Sequence, residues 1–503
     1  MVKNILAYLR ECVERHPQKR AVSDRNRSLT FAELDQTARR YGQTIRNALP
    51  GVRAPSPVGV LCSRDVEPIA AFLGTVYSRN FYVPLDPDAP GEKLRAIIED
   101  AGMEIILGGD RDVSRMGEIG FSGMLITPDK LAIEPLEALQ DDAALSEEEP
   151  LYMVYTSGST GKPKGVLKSH KAEISYIEAF CETFSFSETD VIGNQTPFFF
   201  DAAAKDLYLM LKMGITMEII PTECFALPPE LMQYLNQRQI TVAFWVPTVL
   251  SIVAQLNPFS EIRPETLRSV FFVGEVMPMK HLNKWREALP DLQYVNLYGQ
   301  SELCGICCFY EVRGPFSDEE SLPVGAPLKN CQVYLLDQGT VVTEPGRIGE
   351  MYIVSDALAM EYYHDPEKTN TSFVTKDFGN GPVRCFKTGD LAQYDTKGNL
   401  VFASRSDFQI KHMGHRIELG EIETVAGALP EIARCCCLYN SEKKRIVLFC
   451  ELTEGAEWTG TEIKRRLKTK LSSYMVPWKI HVMEALPLNA NGKLDRQTLK
   501  TLL

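Results

Sequence analysis

Short apolar runs recur along the first half of the chain with helix-like stretches between them, and this alternation restricts the possible folds more than any other feature. Val58–Cys62 and Phe81–Leu85 read as buried strands on either side of a helical Pro68–Ser78. Ile105–Leu107, Leu151–Tyr155, Thr216–Ile220, Val242–Val246 and Val270–Val273 repeat the pattern. Alternation of this kind predicts an α/β domain with largely parallel sheets. From about Pro323 the texture changes to closely spaced strands with glycine turns (QVYLLD, GEMYIV, GNLVFA), which predicts a β-rich subdomain over 322–403. A small α+β unit is expected over 404–503. Within it Gly420–Ala428 reads as helix, CCCLYN and RIVLFCEL as paired strands, and Thr461–Leu471 as a basic helix. At 503 residues the chain is too long for one hydrophobic core, so a large unit over 1–403 and a small one over 404–503 is the expected division.

Charge and cysteine usage remove several function classes. A net charge of −12 disfavours a broad nucleic-acid surface, because phosphate binding needs clustered Lys and Arg. No stretch approaches the ~20 apolar residues of a membrane span. Ile5, Leu6, Leu9 and Val13 have the spacing of an amphipathic opening helix rather than a secretory signal. A cytoplasmic protein is therefore expected. The cysteines number thirteen, and Cys435, Cys436 and Cys437 are consecutive, which does not suit a disulfide framework. Cys304 and Cys307 form a C-x-x-C, but no second pair or nearby His completes a metal site. Reduced thiols packed as small hydrophobes account for them better.

The most informative local segment runs Tyr155-Thr156-Ser157-Gly158-Ser159-Thr160-Gly161-Lys162-Pro163-Lys164-Gly165, directly after an apolar strand-like run. Its glycines allow close backbone approach, its hydroxyls can donate to phosphate oxygens, and Lys164 adds a cation. The glycine–lysine spacing is not that of a Walker loop, and Pro163 would disrupt a helix starting there. The complete string resembles the phosphate loop of adenylate-forming enzymes, which include acyl-CoA synthetases, luciferases and peptide-synthetase adenylation domains. Other segments agree in order: LTFAEL at Leu29–Leu34, YVPLD at Tyr82–Asp86, NLYGQSE at Asn296–Glu302, KTGDL at Lys387–Leu391, RSDFQIKHMGHRIELGEIE at Arg405–Glu423 and NANGKLDR at Asn489–Arg496. Val270–Pro278 and Asp407–Lys411 most resemble stand-alone ligases of the D-alanine–carrier-protein type. The resemblance implies a large N-terminal domain of helix-flanked sheets and a small mobile C-terminal lid.

The chemistry implied is attack of a carboxylate on the α-phosphate of ATP. A carboxylate is already ionised at pH 7, so positioning, a metal ion and cations matter more than an acid–base pair. By resemblance Glu302 holds Mg²⁺, Lys164 meets phosphate, and Lys493 reaches the substrate carboxylate and α-phosphate. Thr156, Ser157, Gly158, Ser159, Thr160 and Gly161 cradle the phosphates, with Asn296 and Ser301 also on the nucleotide. Tyr298 packs against adenine, with Gly274, Glu275 and Val276 lining the same side. Asp390 takes the ribose hydroxyls and Arg405 assists. Asp407 is the implied hinge of the lid, and Gly414 lies on the path of a pantetheine arm.

Asp201 matches the family aspartate that pairs with a substrate ammonium, and an unpaired buried carboxylate would be costly, which favours an amino acid. The same residue could instead cap a helix beginning near Ala202. Ala202, Lys205, Phe244, Phe271, Val273, Leu297, Gly305 and Ile306 match the rest of the side-chain pocket. Its bulky members leave room for a small acid such as alanine or D-alanine. Lys205 fits this less comfortably: it pairs with Asp206, points outward, recognises a second carboxylate on the substrate, or neutralises Asp201. The chain also departs from the family pattern at Asn80-Phe81, Gln300, Glu361 and Ser404. The expected function is activation of a small amino acid and its transfer to the phosphopantetheine of a separate carrier protein. Alternatives are an acyl- or aryl-CoA synthetase, a ligase for an acidic or β-amino acid, and a non-catalytic sensor of ATP or an amino acid.

Overall fold

The computed structural model describes residues 3–49, 55–134, 145–157, 163–405, 409–487 and 494–503. The chain divides into two compact units. The first comprises Met1–Pro87, Ala101–Val154 and Gly165–Ser406, and the second Asp88–Asp100, Tyr155–Lys164 and Asp407–Leu503. The division is thus not a single cut near residue 404. Ion pairs explain this, because Lys93 meets Glu421 at 3.5 Å and Glu92 meets Lys470 at 3.1 Å, tying the helix Gly91–Ala101 to the C-terminal segment.

The short apolar runs form two mainly parallel sheets. In the nine-stranded sheet, Gln293–Gln300, Ser269–Val273, Val242–Trp245, Val191–Asn194, Thr216–Ile219 and Arg20–Ser23 lie side by side in parallel. Antiparallel strands Gly305–Glu311 and Ser28–Thr30 flank this block. The seven-stranded sheet runs Glu361–Tyr362, Lys164–Ser169, Pro150–Thr156, Phe81–Leu85, Pro57–Leu61, Ile105–Leu107 and Met124–Ile126. The central strand Phe81–Leu85 is buried at every residue, as expected where helices cover both faces. Helix Glu67–Tyr77 is likewise buried from Pro68 onward. A six-stranded antiparallel sheet is built from Cys331–Asp337, Thr340–Val342, Gly349–Ser355, Phe373–Asp377, Pro382–Tyr394 and Leu400–Arg405.

In the second unit, Ile432–Asn440 pairs antiparallel with Arg445–Leu452, which pairs in parallel with Lys479–Met483. Successive side chains on a strand face opposite ways. Cys436 and Cys437 therefore enter different cores, one with Phe449 and Leu499, the other with Ile422 and Leu448. All thirteen cysteines are free thiols. The expected helix Thr461–Leu471 is shorter, Gly460–Leu467. Thr459 caps it by accepting from the Glu462 amide, and the residues beyond Leu467 turn so that Leu471 is buried. No helix among the described residues is long and apolar enough to cross a membrane.

The strands Gln293–Gln300 and Gly305–Glu311 approach so closely that a Cβ at Gly299 would lie 1.7 Å from the Gly305 carbonyl oxygen. Gly299→Ala should therefore lower stability by about 2 kcal/mol or more, the cost of forced backbone displacement. A urea midpoint unchanged by this substitution would refute the constraint.

Candidate functional site

Ligands of open α/β sheets bind beyond the carboxyl ends of the parallel strands, where loops diverge. The first unit places most of the expected residues there. Phe244 lies on Val242–Trp245, Phe271 and Val273 on Ser269–Val273, and Asn296, Leu297 and Tyr298 on Gln293–Gln300, all hydrogen-bonded neighbours. Gly274, Glu275 and Val276 follow the second of these strands. Gly274 has φ +99°, which favours glycine, and Val276 is exposed. Glu275 accepts from the Thr248 amide at 3.0 Å and its hydroxyl at 2.6 Å, anchoring the start of helix Pro247–Leu256. Asn296 donates to the Pro323 carbonyl at 2.8 Å.

Ser301 opens a short 3-10 turn, Ser301–Leu303, that buries Glu302. Tyr362 donates to one Glu302 oxygen at 2.6 Å. Asp390 is buried as well, and three side chains converge on its carboxylate. Tyr298 donates its hydroxyl to one Asp390 oxygen, Gln300 donates to that oxygen at 2.6 Å, and Arg405 forms an ion pair with the other. The Thr388 hydroxyl accepts from the Asp390 amide at 3.0 Å. Burial and then the nearby Asp390 push the Tyr298 hydroxyl far above its ordinary pKa, so it stays a donor. Gln300, a departure from the family pattern, is therefore part of the Asp390 support.

Thr156, Ser157, Lys164 and Gly414 belong to the second unit. The Ser157 hydroxyl donates to the Arg416 carbonyl at 2.9 Å and accepts from the Glu418 amide at 3.2 Å. Lys164 lies 3.5 Å from a Glu418 oxygen. Gly414, at φ +79°, follows Met413 at φ +52° in a two-residue turn between Gln409–His412 and His415–Glu418. Two consecutive positive φ values are the signature of a type I′ hairpin. Gly158, Ser159, Thr160, Gly161, Asp407 and Lys493 lie outside the described residues.

The acid side of the site departs from expectation in its charges. Asp201 begins a 3-10 turn, Asp201–Ala203, that leads into helix Ala204–Met213. Its side chain makes no cap to that turn; it forms an ion pair with Lys168, which is fully buried. The Tyr152 hydroxyl lies 2.9 Å from Glu173, 3.3 Å from Asp201 and 3.2 Å from the Lys168 ammonium. Burial disfavours the Lys168 ammonium, but Asp201, Cys304 and Glu173 together outweigh it and hold its pKa above that of a free lysine. Glu173 is fully buried and pushed up to about 8, chiefly by burial, with Lys168 opposing and Asp201 adding to the rise.

The premise that Asp201 is an unpaired carboxylate is thus corrected: a lysine on strand Lys164–Ser169 already answers it. Lys205 is not that partner. It forms an ion pair with Asp206, and its ammonium sits 3.5 Å from the centre of the Phe244 ring. It is buried, and that burial lowers its pKa. Phe244 stacks on Phe271 at 4.8 Å, and Phe184 meets Phe271 edge-on at 5.0 Å. Ile306 and Leu297 are buried beside them, and a Cβ on Gly305 (φ +119°) would meet the Tyr176 ring at 3.3 Å. Ala202, between Asp201 and the buried Ala203, is partly exposed. Lys168, Glu173 and Tyr152 were not among the expected site residues. The available signal was a lysine inside the otherwise apolar strand GVLKS.

The chain belongs to a known class. The AMP-binding enzyme family matches residues 9–363, and its C-terminal domain matches 421–493, so the chain belongs to that family and is an adenylate-forming ligase. It is 30% identical over 502 residues to zwittermicin A synthase ZmaJ of Bacillus cereus, covering 98% of this chain and 94% of that protein. It is also 30% identical over 499 residues to a dimodular nonribosomal peptide synthase of Bacillus subtilis, covering 96% of this chain but only 20% of that much longer protein. The fold matches holo-PA1221, an NRPS protein containing adenylation and PCP domains, with a TM-score of 0.81 and 24% identity over 100% of this chain and 84% of that one.

The raised pKa of Glu173 has a measurable consequence. Its folded value of about 8 exceeds the ordinary 4.5, so the folded state holds this proton more tightly than the unfolded chain does. Stability from this group is complete below about pH 4.5 and is lost as pH rises towards 8. Compared with Glu173→Gln, the wild-type protein should lose about 2 kcal/mol between pH 6 and pH 8. Parallel urea-stability curves for the two proteins across that range would contradict a protonated Glu173.

Proposed function

We propose that the chain binds ATP at the carboxyl ends of its nine-stranded sheet, joins a small carboxylic acid to AMP, and passes the acyl group to the phosphopantetheine thiol of a carrier protein. A substrate carboxylate oxygen attacks the α-phosphorus, and the bond to pyrophosphate breaks. A thiolate then attacks the acyl carbon, and AMP leaves. The observation that carries this reading is the buried Asp390, framed by Arg405 and by Tyr298 and Gln300, the latter two on the strand that leads into Glu302. A carboxylate so supported suits ribose hydroxyls as an acceptor. Glu302 would hold Mg²⁺, and a single protein carboxylate suits an ion that takes its other ligands from water and phosphate. Bound there, the ion would neutralise phosphate charge. Lys164 and Lys493 would add cations on the phosphates and the attacking carboxylate.

The aromatic wall of Phe244, Phe271 and Phe184, with Leu297, favours a small side chain of alanine size. An acidic substrate would need a cation for its second carboxylate, and Lys205 is engaged by Asp206. The carrier as acceptor is supported by the NRPS relatives, against free CoA in a CoA synthetase. Acid-dependent ATP–pyrophosphate exchange tests the first half-reaction, and thioester formation on a phosphopantetheinylated carrier against free CoA tests the second. Absence of exchange with every acid would leave only the sensor reading.

Lys493→Ala should reduce adenylation by at least ~10²-fold, the scale of one preorganised transition-state contact. Thioester formation from preformed adenylate should fall less. Equal losses in both single-turnover assays would refute a two-conformation lid in which Lys493 serves adenylation alone, and unchanged adenylation would remove Lys493 from that step.

A further inference from the structure

In an amino-acid site, the carboxylate that receives the substrate ammonium must offer negative charge that nothing inside the protein has already cancelled. The charges around Asp201 do not leave that surplus. Lys168, on strand Lys164–Ser169, pairs with Asp201 from a fully buried position. Helix His170–Thr183 presents Glu173 and Tyr176, strand Pro150–Thr156 presents Tyr152, and the residue after the Ser301–Leu303 turn presents the Cys304 thiol. Lys205 and Asp206, on helix Ala204–Met213, cancel one another. Glu173 is pushed up to about 8 by burial, so at neutral pH it is mostly an uncharged acid. Among these groups one lysine answers each ionised aspartate. An ammonium brought to Asp201 would also face the Lys168 ammonium across a desolvated gap, where like charges repel strongly.

We infer that Lys168 is a specificity-determining residue that takes the place of a substrate ammonium at Asp201, so that the site accepts small carboxylic acids without an α-amino group, such as hydroxy, keto or plain acids. This rests on the adenylate-forming reading above and narrows its substrate class. Neither Lys168 nor Asp201 takes part in bond making; the pair fixes which group fits next to the reacting carboxylate.

Matched pairs of acids test the assignment by ATP–pyrophosphate exchange on the wild-type protein: alanine of each hand against lactate of each hand, pyruvate and propionate, and valine against 2-hydroxyisovalerate. The amine-free member of each productive pair should be used at least ~10²-fold better in kcat/KM, the scale of a juxtaposed like charge. Preference for the amino acid by tenfold or more would overturn the assignment while leaving the adenylation reading intact. Silence with every acid, against a working control ligase, would instead defeat the adenylation reading and the inference with it. In variants, Lys168→Met should shift preference towards the amino acid by freeing Asp201. The double variant Lys168→Met/Asp201→Asn, which replaces the pair by neutral groups, should keep the amine-free substrate and gain nothing with the amino acid. Should the single variant not fold, the double variant and the wild-type panel still decide: an amino-acid preference in either one counts against the role given to Lys168.

Discussion

A carboxylate removed from water has to be met by a cation or by several hydrogen-bond donors, and this requirement organises the centre of the protein. Asp390 is met by Arg405 on one oxygen and by Tyr298 and Gln300 on the other. Asp201 is met by Lys168, Asp206 by Lys205 and Asn194, and Asp190, at the amino end of its strand, by Arg268. Removing one member of such a pair leaves the other charge stranded, which typically costs about 3–5 kcal/mol. The loops at the carboxyl ends are therefore held by side chains from strands far apart in sequence.

The way each acid is answered separates two sides of the site. Around Asp390 the partners are mostly donors, and the carboxylate is the acceptor that ribose hydroxyls call for. Around Asp201 the partner is a full positive charge. Both carboxylates are ion-paired, Asp390 with Arg405 and Asp201 with Lys168; they differ in that Asp390 also accepts from Tyr298 and Gln300 on its second oxygen. Burial determines Glu173 differently again, since with Lys168 committed to Asp201 the cheaper solution for a second acid is to keep its proton.

The strands were legible because their signal is local. Phe81–Leu85, Ile105–Leu107 and Val242–Trp245 are apolar runs with breakers at both ends, and burial on both faces follows directly. The cysteines were legible for a similar reason, since Cys435, Cys436 and Cys437 cannot serve a disulfide framework yet fit a strand covered on both sides. Glu302 and Asp390 were legible only through the motifs around them. Lys168 was marked only by standing in an otherwise apolar run, and nothing in that run names its ion-pair partner 33 positions away. A lysine in a strand normally lies at the surface, and only the fold shows that this one does not. The same limit applied to Lys205, for which several fates stayed open until Asp206 and the Phe244 ring were seen beside it.

The hairpin of Gln293–Gln300 and Gly305–Glu311 connects the surroundings of Asp390 to those of Glu173 and Asp201. Tyr298 and Gln300, on its first strand, support Asp390. Cys304, in the left-handed conformation at φ +50°, turns the chain so that its thiol lies against Glu173. Gly305 then passes the Tyr176 ring with no room for a larger residue, and Ile306 continues into the pocket wall. The close approach at Gly299 fixes the register of these two strands. A shift of one strand against the other would disturb the donors to Asp390 and the contacts of Glu173 together. On the proposed reading, substrate selection and nucleotide placement would thus share one element, the hairpin of Gln293–Gln300 and Gly305–Glu311.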